Sequence, residues 1–122
     1  MESENPLPPE ILETIRLIGR KWSVVVLHEL THSPLSFGEL KEKIPGVSAS
    51  VLSDLLNEFQ DKEIIEKRSI SMSPPRSAYF ISSFGQVLCS IISSISEWGA
   101  KLVEKKATSV NVKRVNVEST EG

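Results

Sequence analysis

Between Ser83 and Lys105 the chain carries Phe84, Leu88, Ile91, Ile95, Trp98 and Leu102, separated in turn by 4, 3, 4, 3 and 4 residues. That alternation keeps large apolar side chains on one seam of an α-helix, and Val87, Ile92 and Val103 widen it. At helical rise the segment spans roughly 35 Å. A chain of 122 residues is large enough for one domain, and one small domain covers only part of that length. The excess apolar face points to a partner chain, most economically a second copy related by a twofold axis. The competing reading is a stripe that packs on its own domain.

Upstream, the pattern is one of short helices followed by a hairpin. Pro8-Pro9 opens a first helix, with Ile11, Leu12, Ile15 and Ile18 at helical spacing and Gly19 at its end. A second runs from Lys21 to about His32, apolar over much of its circumference through Trp22, Val24, Val25, Val26, Leu27 and Leu30, and Pro34 stops it. A third, short helix covers about Phe37 to Ile44, with Leu40 and Ile44 inward and the charges outward. "PGVS" (45 to 48) is a turn whose Ser48 caps the fourth helix, about Ala49 to Lys62. That helix has Val51, Leu52, Leu55, Leu56 and Phe59 on its inner face. Its outer face holds Ser50, Ser53, Asp54 and Asn57. Two β-rich runs follow, Ile64 to Ser71 and Ser77 to Ile81, joined by a loop around Ser73-Pro74-Pro75-Arg76. Beyond Ala107 the chain is polar and is expected to be a flexible tail (107–122), with a short added strand in "VNVKRVNV" as the alternative.

The order predicts a mainly α, α+β fold: a winged helix-turn-helix over residues 1–106, ending in a long dimerisation helix at about 83–105. The third and fourth helices form the helix-turn-helix and the hairpin is the wing.

Composition narrows the class. Hydrophobic residues are 39% and charged residues 25%, an ordinary globular balance, and the formal net charge of −2 gives no general attraction to polyanions. Binding to nucleic acid therefore needs a local basic patch. The single cysteine, Cys89, excludes an internal disulfide and a cysteine zinc cluster. No apolar run approaches the roughly 20 residues of a membrane span, and "MESENPLPPE" is unlike a signal peptide, so a cytoplasmic protein is expected.

Several blocks resemble one family. "IGRKWSVVVLHEL", "SFGELKEKIPGVSASVLSDLLNEFQDKEIIEKR", "PPRSAYFISSFGQVL" and "EWG" (97 to 99) are similar to the corresponding motifs of HxlR-type, MarR-like winged-helix transcriptional regulators. The resemblance covers residues 10 to 99. It implies a homodimer on double-stranded operator DNA, with the fourth helix in the major groove, the wing near the minor groove, and no enzymatic activity. It would place DNA contacts at Ser48, Ala49, Ser50, Ser53, Asp54 and Asn57, with Lys41, Lys43, Arg68 and Arg76 on the flanks. Phe84, Leu88, Ile91, Ile95, Trp98 and Leu102 would form the dimer interface.

Two departures stand out. Where members of the family commonly carry a cysteine near the start of the first helix, this chain has Pro9, which removes that route to thiol sensing; the apolar setting of Cys89 suggests packing. The recognition helix also lacks the Lys, Arg or Gln often found on its exposed face. Serine can hydrogen-bond to phosphate or a base edge and asparagine can pair with adenine, but Asp54 repels phosphate. This keeps open a second function, a winged-helix module whose fourth helix meets a protein.

A third comes from "HELTH". His28-Glu29-x-x-His32 has the spacing of a zinc-peptidase helix, two histidines one turn apart with a glutamate to activate water. Pro34 ends the helix where such a helix continues, and no third ligand stands at a recognised spacing. No catalytic residue, metal centre or cofactor is assigned. The pair reads as two partly exposed histidines at a helix end, with incidental binding of a divalent metal as the alternative. The effector, if any, is not written in the sequence.

Overall fold

The computed structural model describes residues 6–121, and of 109–121 the backbone alone. Seven elements follow in chain order: α1 (Pro9–Ile18), α2 (Lys21–His32), α3 (Phe37–Lys43), α4 (Ala49–Asp61), β1 (Ile65–Met72), β2 (Pro75–Ile81) and α5 (Ser83–Glu121). The chain divides into two compact units, one up to Cys89 and one from Ser90 onward. The first is a winged helix-turn-helix; the second is the greater part of α5.

The core of the first unit is where the helical periodicities converge. Val26, Leu27 and Leu30 of α2, Leu40 of α3, and Leu52, Leu55, Leu56 and Phe59 of α4 are buried, closed from below by Ile64, Ile65, Ala78 and Tyr79. Trp22, Val24 and Val25 are half-buried. Val51 does not join them: expected on the inner face of α4, it is exposed, because at helical spacing it falls at the edge of the face that Leu52, Leu55, Leu56 and Phe59 share.

The wing is a two-stranded antiparallel sheet, Ile65 opposite Ile81 and Met72 opposite Pro75, with a bulge between Ser69 and Ser71. Pairing runs closer to the tip than the sequence suggests. Pro75 and Arg76 belong to β2, so the connection shrinks to Ser73-Pro74, and Arg76 sits opposite Ser71 rather than at the very tip. A single bridge adds a third edge: the Tyr79 N–H donates to the Leu35 carbonyl at 2.8 Å. That bridge ties the link after α2 to the wing, and one residue pair leaves no periodic trace to read.

Past the wing, Ser82 fixes the start of α5. Its hydroxyl bonds the carbonyls of Glu63 (2.6 Å) and Ile64 (2.9 Å), and accepts from the Gly85 N–H at 3.0 Å. A Cβ on Gly85 would lie 2.1 Å from the Ile64 carbonyl oxygen, so only glycine allows this approach. The helix then runs well past the expected end near Lys105. Backbone from 107 to 121 is helical, not a tail or a strand. Between Gly99 and Gly122 there is neither glycine nor proline, so nothing in the sequence terminates it.

Candidate nucleic-acid interface

Local hydrogen bonds build the helix-turn-helix. Ser36 and Glu39 form a reciprocal capping box at α3: the Ser36 N–H donates to Glu39 Oε1 at 2.8 Å, and the Glu39 N–H to Ser36 Oγ at 3.2 Å. Ser48 caps α4 as its sequence position implies, accepting from the Val51 N–H at 3.1 Å. Between the helices, Gly46 takes φ +94°, a conformation that disfavours any side chain, and packs over Trp22. The buried Ile44 and Val47 anchor the turn on either side.

On this frame Ser50, Ser53, Asp54 and Asn57 occupy one exposed face of α4, with Ala49 exposed at its N-terminus. None of those four polar side chains makes a hydrogen bond or ion pair among the described residues. The face is free to meet another molecule.

The flanking cations divide into two groups. Lys41 is held inside the motif, its ammonium donating to the Val47 carbonyl at 2.8 Å, so it braces the turn between α3 and α4. Arg68 is bonded through Nη2 (2.6 Å) and Nε (3.0 Å) to Glu66 Oε2 and lies over the Phe80 ring at 4.5 Å. Glu66 balances its charge. Lys43 and Arg76 instead make no ion pair among the described residues, and both lie close enough to Glu39 for their charges to act on it. The Glu39 carboxyl is held below the ordinary range chiefly by the Ser36 backbone and hydroxyl bonds, with the nearby charges of Arg76 and Lys43 adding to the effect. Two residues far apart in the sequence, one on the wing and one on α3, thus flank one edge of the helix-turn-helix.

The opposite edge of α4 carries a feature with little trace in the sequence. A cleft of about 350 Å³ there is lined by Arg20, Lys21, Trp22, Val51, Asp54, Leu55 and Glu58. Arg20 Nη2 reaches Glu58 Oε1 at 2.7 Å, and Lys62 Nζ reaches Glu58 Oε2 at 3.1 Å. The hydrogen bond from Arg20, seconded by that from Lys62, lowers the Glu58 carboxyl against the opposing effect of partial burial. The signal was available only as a lone "RKW" before α2, since α4 meets it across 38 residues of chain.

The HELTH histidines lie on the exposed end of α2, away from any other ligand set. No cluster of three or more His, Cys, Asp or Glu able to hold a metal exists among the described residues.

The model of one family, described as HxlR-like helix-turn-helix, matches residues 17–107. The chain belongs to that family. Its HxlR-like relatives include the transcriptional regulator YodB of Bacillus subtilis, 26% identical over 100 residues that make up 82% of this chain and 89% of YodB. YtcD of the same organism, an HTH-type transcriptional regulator, is 30% identical over 92 residues, 75% of this chain and 73% of YtcD. Reduced YodB superposes with a TM-score of 0.69 at 26% identity, covering 75% of this chain and 90% of that structure. A MarR-family regulator from Enterococcus faecalis gives 0.72 at 28% identity, covering 84% and 94%. This HxlR-like protein is thus a transcriptional regulator with a DNA-binding helix-turn-helix and not an enzyme.

Proposed function

We propose that the protein acts in the cytoplasm as a homodimer that recognises operator DNA through α4. The observation that carries the reading is the unengaged polar face of α4, Ser50, Ser53, Asp54 and Asn57, flanked by Lys43 and Arg76. These side chains have the chemistry for base edges and phosphates, and nothing within the described residues occupies them. Dimerisation rests on a second observation. Phe84, Ile91, Ile95 and Trp98 are 66%, 48%, 51% and 64% exposed, a contiguous apolar stripe too large to leave in water. A twofold axis would set two α4 helices on successive turns of the duplex.

YodB has been solved both reduced and after diamide treatment. In this chain Pro9 stands where the resemblance places a cysteine, and Cys89 is buried, which pushes its thiol up and away from the reactive thiolate. Neither residue therefore offers a reactive thiolate for sensing.

Retardation of DNA from the protein's own locus, titrated against salt, tests the proposal. With about two or three phosphates neutralised per subunit, log affinity should fall against log salt with a slope of roughly −4 to −5. A protein that retards no such DNA at low salt, while its α4 face captures a defined protein partner, would instead be an interaction module. Asp54 and the absence of a cation from that face are what favour the second reading.

A further inference from the structure

His28 and His32 stand one turn apart at the C-terminal end of α2, both exposed. The imidazoles make an edge-to-face contact, with centroids 4.9 Å apart and planes at 82°. For two imidazoles sharing one metal ion, a metal–nitrogen bond of about 2.0–2.1 Å places each ring centroid roughly 3.2 Å from the metal. At right-angled to tetrahedral geometry the centroids are then about 4.5–5.2 Å apart. The observed separation falls inside that window, so the rings need only turn, and not move apart, to aim at one ion.

A second observation concerns the tautomer. His32 Nδ1 lies 3.0 Å from the His28 carbonyl oxygen. A carbonyl only accepts, so Nδ1 carries a proton, and in the neutral ring Nε2 is then the nitrogen with a lone pair to offer. Metal-binding histidines are commonly oriented this way, by donating the other ring N–H to a backbone carbonyl. The same carbonyl accepts from Thr31 Oγ1 at 2.6 Å, which helps hold the last turn in place. The His28 ring makes no hydrogen bond among the described residues and is free to turn about χ2 until its own nitrogen points at the same spot.

We propose that His28 and His32 form a two-point chelate for a late first-row divalent ion, with Cu²⁺ bound more tightly than Ni²⁺ or Zn²⁺. Two imidazoles and no carboxylate select these ions over Mg²⁺ and Ca²⁺, which require oxygen ligands. No third protein ligand is present among the described residues, so water completes the coordination sphere. The site is neither a closed structural zinc centre nor a peptidase centre. The assignment does not depend on how α4 meets DNA.

Cu²⁺ titration of the untagged full chain, followed by calorimetry and electron paramagnetic resonance, decides the matter. One equivalent per chain with two-nitrogen coordination is expected. His28→Ala and His32→Ala should each lose on the order of 100-fold in affinity, because two-point attachment gives way to one. The thermal midpoint should rise with added Ni²⁺ in the wild type and not in the double variant, since the chelate exists only when α2 is folded. Without metal, the double variant should keep its far-UV spectrum and melt like the wild type, as exposed positions tolerate substitution. Unchanged Cu²⁺ affinity in either single variant, or a Ni²⁺-dependent rise in the double variant, would overturn the assignment.

Discussion

Replacing Ile95 with glutamate should dissociate the proposed dimer. Ile95 is 51% exposed in the single chain, so about half of its burial free energy, about 1 kcal/mol, becomes available only when a partner covers it. Twofold symmetry presents the side chain twice, so removing the apolar contact costs about 2 kcal/mol per dimer. A glutamate in the seam also leaves an unpaired charge out of water, at about 3–5 kcal/mol. The sum, about 5 kcal/mol or more, raises the dissociation constant more than about a thousandfold. Sedimentation velocity at micromolar concentrations should show a wild-type dimer and a monomeric Ile95→Glu, with helix content by circular dichroism nearly unchanged. Ile95→Ala should fall between, weakened by about 2 kcal/mol. A wild type that sediments as a monomer, or an Ile95→Glu that sediments as the wild-type dimer, would refute the reasoning.

Arg76→Ala should weaken operator binding and flatten its salt dependence by about two units per dimer, whereas Asp54→Asn should tighten binding by removing repulsion from phosphate; gel retardation across a salt series measures both. Glu58→Gln should lower stability by about 0.5–1 kcal/mol at neutral pH, in line with a partly exposed ion pair. Because the folded carboxyl titrates below its ordinary value of 4.5, that contribution is present above 4.5 and lost as pH falls through the folded value. Urea denaturation of wild type and variant should therefore converge once pH falls below the folded value. Glu63 adopts φ 59°, in the left-handed region, so Glu63→Gly should stabilise the fold by about 0.5–1 kcal/mol, the relief of strain being partly offset by a freer unfolded chain; the urea midpoint reports it.

Most of the winged helix could be read from the sequence because its elements announce themselves locally. Pro9, Pro34 and Ser48 mark ends, and the apolar positions of α2 and α4 repeat at helical spacing. What was missed depends on contacts across the chain or on the absence of a signal. Nothing local says that Arg76 pairs with Ser71, that Leu35 bridges to Tyr79, or that Arg20 reaches Glu58. Val51 is apolar and helically spaced, yet it falls at the edge of the apolar face of α4 and stays exposed. The polar composition after Ala107 suggested a tail, although composition sets what a helix can bury and not whether it ends. For the interface, exposure on α4 followed from periodicity. The engagement of Lys41 and Arg68 did not, since a lysine or arginine in a sequence carries no record of its partner.

The construction of the helix-turn-helix also bears on how such a regulator changes over evolutionary time. Every bond that shapes the motif comes from residues off the outer face: the capping box of Ser36 and Glu39, the Ser48 cap, Lys41 on Val47, Gly46 over Trp22. Ser50, Ser53, Asp54 and Asn57 contribute none of them, so exchanging these four costs within about 0.5 kcal/mol each. If α4 reads the operator as proposed, a lineage can therefore retarget the protein to a new promoter one letter at a time without passing through an unfolded intermediate. The same partition makes α4 a position where libraries can be randomised freely, with folding yield held constant while specificity is selected.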